Sequence, residues 1–103
     1  MENSFQNIKQ LIKYSRGGIL SKEILKTEKY SITLFCLAAD TEISEHTSTK
    51  DGFIYVLEGE GVFHLAGKDI IMQKGVLITM SANAAHSLRA KANISFLLLL
   101  VGK

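Results

Sequence analysis

Three histidines, a single cysteine and a scatter of carboxylates are the side chains of this chain that could carry chemistry. His46 and His86 stand out by their surroundings. Glu45-His46 leads into Gly52-Phe-Ile-Tyr-Val-Leu-Glu-Gly-Glu-Gly61, and Gly75 leads through Ile78-Thr-Met-Ser-Ala-Asn-Ala-Ala-His86. Short β-rich runs flank both stations, so two imidazoles distant in sequence are expected to face one cavity from different strands. Neutral imidazole nitrogens bind transition metals and carry protons near neutral pH, which makes the pair the candidate centre.

The remaining reactive groups read as structural. Cys36 lies in the apolar run Ile32-Thr-Leu-Phe-Cys-Leu-Ala38, where a buried, inert thiol is expected. With one cysteine, no disulfide forms within the chain. Glu58-Gly-Glu-Gly61 has the composition of a hairpin turn, so Glu58 and Glu60, like Glu45, are expected to be solvated rather than catalytic. His64 shares strand parity with Val62, opposite to Phe63 and Leu65, and is placed outside the cavity.

A chain of 103 residues with 47% hydrophobic content closes one core, so a single domain is expected: residues 1–18 as an N-terminal helix and connection, 19–103 as a β-barrel. The net charge of +2, from 12 Lys+Arg against 10 Asp+Glu, never condenses into a basic stripe, which argues against a nucleic-acid partner. Phe96 to Val101, the longest apolar run, falls far short of the roughly 20 residues a membrane-spanning helix needs, and no membrane partner is expected. Lys9 and Lys13 sit among polar residues without the apolar stretch of a secretion signal, so a cytoplasmic protein is the expectation.

Phe5, Ile8, Leu11 and Ile12 fall at helical spacing, with Asn3 or Ser4 as cap and Gly17-Gly18 as stop, which predicts one short amphipathic α-helix. From Ile19 the period is that of strands, predicted over Ile19 to Lys26, Tyr30 to Ala38, Glu42 to Thr47, Phe53 to Glu58, Gly61 to Ala66, Asp69 to Gln73, Val76 to Met80, Ala85 to Ala90 and Asn93 to Val101. Turn residues between them predict antiparallel pairing in an all-β fold. Tyr30 to Ala38 and Ile94 to Val101 are apolar on both faces and must each be covered twice. The helix is expected over one of them and a second subunit over the other, making a homodimer.

These residues bear a resemblance to a known pattern. From about Ile19 onward the chain resembles the small single-domain cupins, the conserved-barrel or RmlC-like jelly rolls. In the family's first motif His46 and Gly59 match, while Asp40 stands for a glycine, Ser48 for a second histidine and Gly52 for a glutamate. In the second, Gly75 and His86 match, while Ser81, Asn83 and Ala90 depart. The resemblance implies a jelly-roll barrel, also called a double-stranded β-helix. Metal-binding cupins hold iron, manganese, nickel or zinc with three histidines and a glutamate, and of those positions only His46 and His86 remain. Asp51, beside the lost glutamate, could reach inward to complete a site.

Three readings follow. The first is a cupin that binds a small molecule in the barrel, without a strong metal site, the ligand contacted by His46, Ser48 and His86 and lined by Ile54, Val56, Phe63 and Ile78. The second is a metal-dependent enzyme of dioxygenase or isomerase type with His46 and His86 as ligands. The third is a structural or sensory homodimer whose barrel is filled by its own side chains.

Overall fold

The computed structural model describes residues 5–102. Nine strands follow the N-terminal segment: β1 (Ile19–Lys26), β2 (Tyr30–Leu37), β3 (Glu42–His46), β4 (Asp51–Glu58), β5 (Glu60–Leu65), β6 (Lys68–Gln73), β7 (Leu77–Met80), β8 (His86–Ala90) and β9 (Ile94–Val101). All pair antiparallel, in a five-stranded sheet of order β1-β2-β9-β4-β7 facing a four-stranded sheet of order β3-β8-β5-β6. This is a jelly roll. Each predicted strand is present, with ends shifted by no more than two residues.

Alternation along the strands decides what the two sheets hold between them. Ile54 and Val56 of β4, Phe63 of β5, Met72 of β6, Ile78 of β7, Leu88 of β8 and Phe96 of β9 turn inward and form one buried cluster. Phe35 stacks on Phe96 at the cluster's margin, with ring centroids 5.3 Å apart. Gly59 lets β4 turn into β5: its φ is +95°, and a Cβ there would stand 2.0 Å from the carbonyl oxygen of Asn93. Only glycine fits. Asp40, where the family pattern has glycine, also adopts a positive φ, of 69°, a conformation that short polar side chains tolerate better than others.

The predicted α-helix is the main departure. Residues Ile8–Leu11 form a single 3-10 turn, capped by Asn7, whose side chain accepts from the Lys9 amide at 3.1 Å. The predicted caps Asn3 and Ser4 lie outside the described residues. Ile12 is already extended, with ψ of 124°, and Gly17 serves a separate turn closed by Gly18 N–H donating to Ser15 at 3.3 Å. A helix this short is marginal by itself, and the chain instead runs out to lay Leu11 and Tyr14 on the outer face of the larger sheet.

That outer face is covered unevenly. Leu34 and Cys36 of β2 and Ser95 of β9 are buried beneath the N-terminal segment. Farther along, Tyr55 and Leu77 are exposed, and Ile32, Phe53, Leu97 and Leu99 are half-buried. The N-terminal segment therefore covers one end of the two-faced strands and leaves the other open.

Candidate functional site

The four-stranded sheet brings the two histidines together. In the β3–β8 ladder His46 lies directly opposite His86, and β3 is the sheet's edge strand. They come from different strands, as expected, and are cross-strand neighbours within one sheet. His86 points inward with Leu88 and Ala90 and is 7% exposed, its ring stacked on Phe63 at 5.9 Å; His46 is exposed at the rim. The pair forms a polar lip where the core meets solvent.

Hydrogen bonds fix how these rings are used. His46 Nδ1 lies 2.9 Å from the Ser44 carbonyl oxygen and His86 Nδ1 2.9 Å from that of Ala84. A carbonyl only accepts, so each Nδ1 carries its hydrogen and each neutral ring presents a bare Nε2. The two Nε2 atoms are 2.9 Å apart, with the rings edge to face. Two lone pairs at that separation repel unless a proton on one ring or a cation between them satisfies both. The arrangement is a ready-made two-nitrogen acceptor for positive charge or a hydrogen-bond donor.

Fold and site together can be set against known proteins. Residues 33–102 match the family model described as "Cupin domain". This chain belongs to the cupin family. No curated protein matches it. A conserved protein of unknown function from Streptococcus pyogenes superposes with a TM-score of 0.90 at 24% identity, covering 100% of this chain and 91% of that one. A cupin superfamily protein from Desulfitobacterium hafniense gives 0.89 at 20% identity, with coverage of 100% and 94%. A predicted oxalate decarboxylase from Thermotoga maritima gives 0.76 at 23% identity, covering 81% of this chain and 79% of that one. At such identities the likeness concerns the fold alone.

Within the cupin frame, the two positions where the family motif has a histidine and a glutamate serve other ends. Ser48 lies in the β3–β4 turn, where its Oγ accepts from the Lys50 amide at 3.2 Å and its carbonyl accepts from Asn83 at 2.6 Å. It braces two loops. At Gly52, a Cβ would stand 2.7 Å from the terminal methyl of Met80, so a methionine occupies the room a longer side chain would need. Asp51 does not reach inward: exposed, it accepts from the Ala82 amide at 2.8 Å through Oδ1. His64 lies outside, paired with Asp69. Among the described residues no group of three or more His, Cys, Asp or Glu side chains could hold a metal ion.

Ile54, Val56, Phe63 and Ile78 point into the barrel of this cupin as alternation requires, at 0–3% exposure, and pack in the common core with Leu37, Met72 and Leu88. Phe63 is the one that also touches the site, through His86.

A second polar cluster escaped the sequence reading. On the outer face, Tyr14 donates its hydroxyl to Glu58 at 2.8 Å. Burial pushes the phenol up to about 12, and the Glu58 carboxylate adds to the rise. The fully buried hydroxyl of Ser95 has no hydrogen-bond partner among the described residues. The two partners are 44 residues apart, and nothing in either local pattern signals the contact.

Proposed function

We propose that this cupin binds a small polar molecule at the barrel mouth, held by the His46–His86 pair, without a tightly bound metal. The carrying observation is the convergence of two Nε2 atoms at 2.9 Å, each ring anchored through Nδ1, with no third ligand beside them among the described residues. Rings fixed this way lose little freedom on binding, which favours recognition of a hydroxyl or protonated group by preformed acceptors. Phe63 supplies the apolar wall behind His86, and Ser48 is a neighbouring polar group of the same rim. Because Ile54, Val56 and Ile78 are committed to core packing, the ligand rests above them and touches the core only at its surface. Ligand-observed NMR with a library of small hydroxylated and amine fragments tests this. Saturable binders that His46→Ala/His86→Ala loses are expected, and a library that binds neither protein, or both alike, overturns it.

One observation favours the second reading, a metal-dependent enzyme. Two nitrogens each about 2.0–2.1 Å from one ion, at right angles, lie about 2.9 Å apart, and the Nε2 atoms have that separation. His46 and His86 would then hold an iron, manganese, nickel or zinc ion, which would supply Lewis acidity or oxygen activation. Two neutral ligands with no carboxylate hold such an ion weakly, which is why this reading ranks second.

The proposal includes a homodimer through the open end of the five-stranded sheet. Ile32, Phe53, Tyr55, Leu77, Leu97 and Leu99 share that face by register and carry no charge, so the patch can meet its own copy without like-charge opposition. Sedimentation at micromolar concentration is expected to give a dimer, and Leu77→Lys a monomer; a wild-type monomer contradicts it.

A further inference from the structure

A groove outside the barrel makes no use of the histidines. It lies between the N-terminal segment and the β1–β2 hairpin and has a volume of about 370 Å³, within the usual range for a small-molecule site. Register explains its floor. Leu20 pairs with Cys36 and Lys22 with Leu34, so all four side chains leave the sheet on the same outer face. Leu34 and Cys36 are 1% and 3% exposed, while Leu20, at 38%, stands at the opening. Leu11 closes the apolar side from above, and Lys13 joins Lys22 among the lining residues, which include no carboxylate. The wall formed by the N-terminal segment is fastened next door by the Tyr14–Glu58 hydrogen bond, so the groove exists before anything enters it.

We propose that this groove is a second binding site, distinct from the mouth, and that it takes a small amphipathic carboxylate. The hydrocarbon part lies along Leu11, Leu20, Leu34 and Cys36, and the carboxylate faces Lys13 and Lys22. An apolar floor whose charged lining residues are Lys13 and Lys22, beside the neutral Gln10 and Ser21, selects this class: a neutral alcohol of the same length gains the floor and at most a neutral hydrogen bond, and an amine meets two like charges.

Titration of the full chain with octanoate, followed by amide chemical shifts, tests the assignment, with 1-octanol as the neutral control. Saturable shifts centred on Leu20, Lys22, Leu34 and Cys36 are expected. Lys13→Glu/Lys22→Glu changes only exposed residues and should weaken octanoate about fivefold, as two screened surface charges can. His46→Ala/His86→Ala should leave the affinity unchanged, which separates this site from the one at the mouth. Shifts that do not saturate, shifts centred on His86, equal affinity for octanol, or indifference to the charge reversal would each overturn the proposal.

Discussion

The barrel mouth at His46 and His86 and the neighbourhood of Gly52 fall at positions that metal-binding cupins use as one ligand set, yet in this chain they obey different physics. At the first, two polar rings are held by backbone carbonyls, His86 buried and His46 in solvent. At the second, a glycine yields its space to Met80, and the gain is packing. Core volume at Gly52 and the His46–His86 geometry are therefore set independently, the first by Met80 and the second by the β3–β8 ladder. The core depends on the apolar half, and the binding proposed above depends on the polar half.

Substitutions sharpen that contrast. Met80→Ala removes a core side chain that is 7% exposed and is expected to cost about 2–5 kcal/mol in urea unfolding; a loss below about 1 kcal/mol would mean that Met80 is not the filler described here. Adding Gly52→Glu to Met80→Ala places a carboxylate in the emptied space. Zinc affinity should rise by at least about tenfold, the scale on which even outer-shell partners act, and calorimetry showing no gain would break the link between the two halves.

Smaller effects belong to the outer face. Tyr14→Phe removes one hydrogen bond from the N-terminal segment and should cost about 1 kcal/mol. It should also alter the alkaline limb. The folded phenol ionises near 12 and the unfolded one near 10, so its contribution is complete below pH 10 and lost as pH rises through about 12. Stability of the wild type should fall across that window more steeply than that of Tyr14→Phe; parallel curves would contradict the burial of the hydroxyl. Smallest is His46→Ala, an exposed rim change expected to shift stability by no more than about 0.5 kcal/mol while removing ligand binding at the mouth, as thermal shift and NMR can show side by side.

Much of the fold was legible because strands announce themselves by period and turns by composition: β4 and β5 around Gly59 read directly, and the two-faced β2 and β9 signalled cover on the outer face, which the N-terminal segment supplies at one end. The N-terminal segment departs from its pattern: Ile8, Leu11 and Ile12 fit helical spacing, yet the helical part is a single 3-10 turn over Ile8–Leu11 and Ile12 is already extended. His46 and His86 were identifiable as partners, but their pairing within one sheet depends on strand order, which local pattern does not encode. Met80 filling the space at Gly52, Asp51 turning to Ala82, and Tyr14 finding Glu58 are contacts between distant segments that only three dimensions reveal.

The most direct test is the metal content of native protein, measured by mass spectrometry after dialysis against a weak chelator. A site of two neutral nitrogens should retain well under one equivalent of any transition metal. One equivalent of iron, manganese, nickel or zinc surviving dialysis, and lost in His46→Ala/His86→Ala, would contradict the account and make this cupin a metalloprotein.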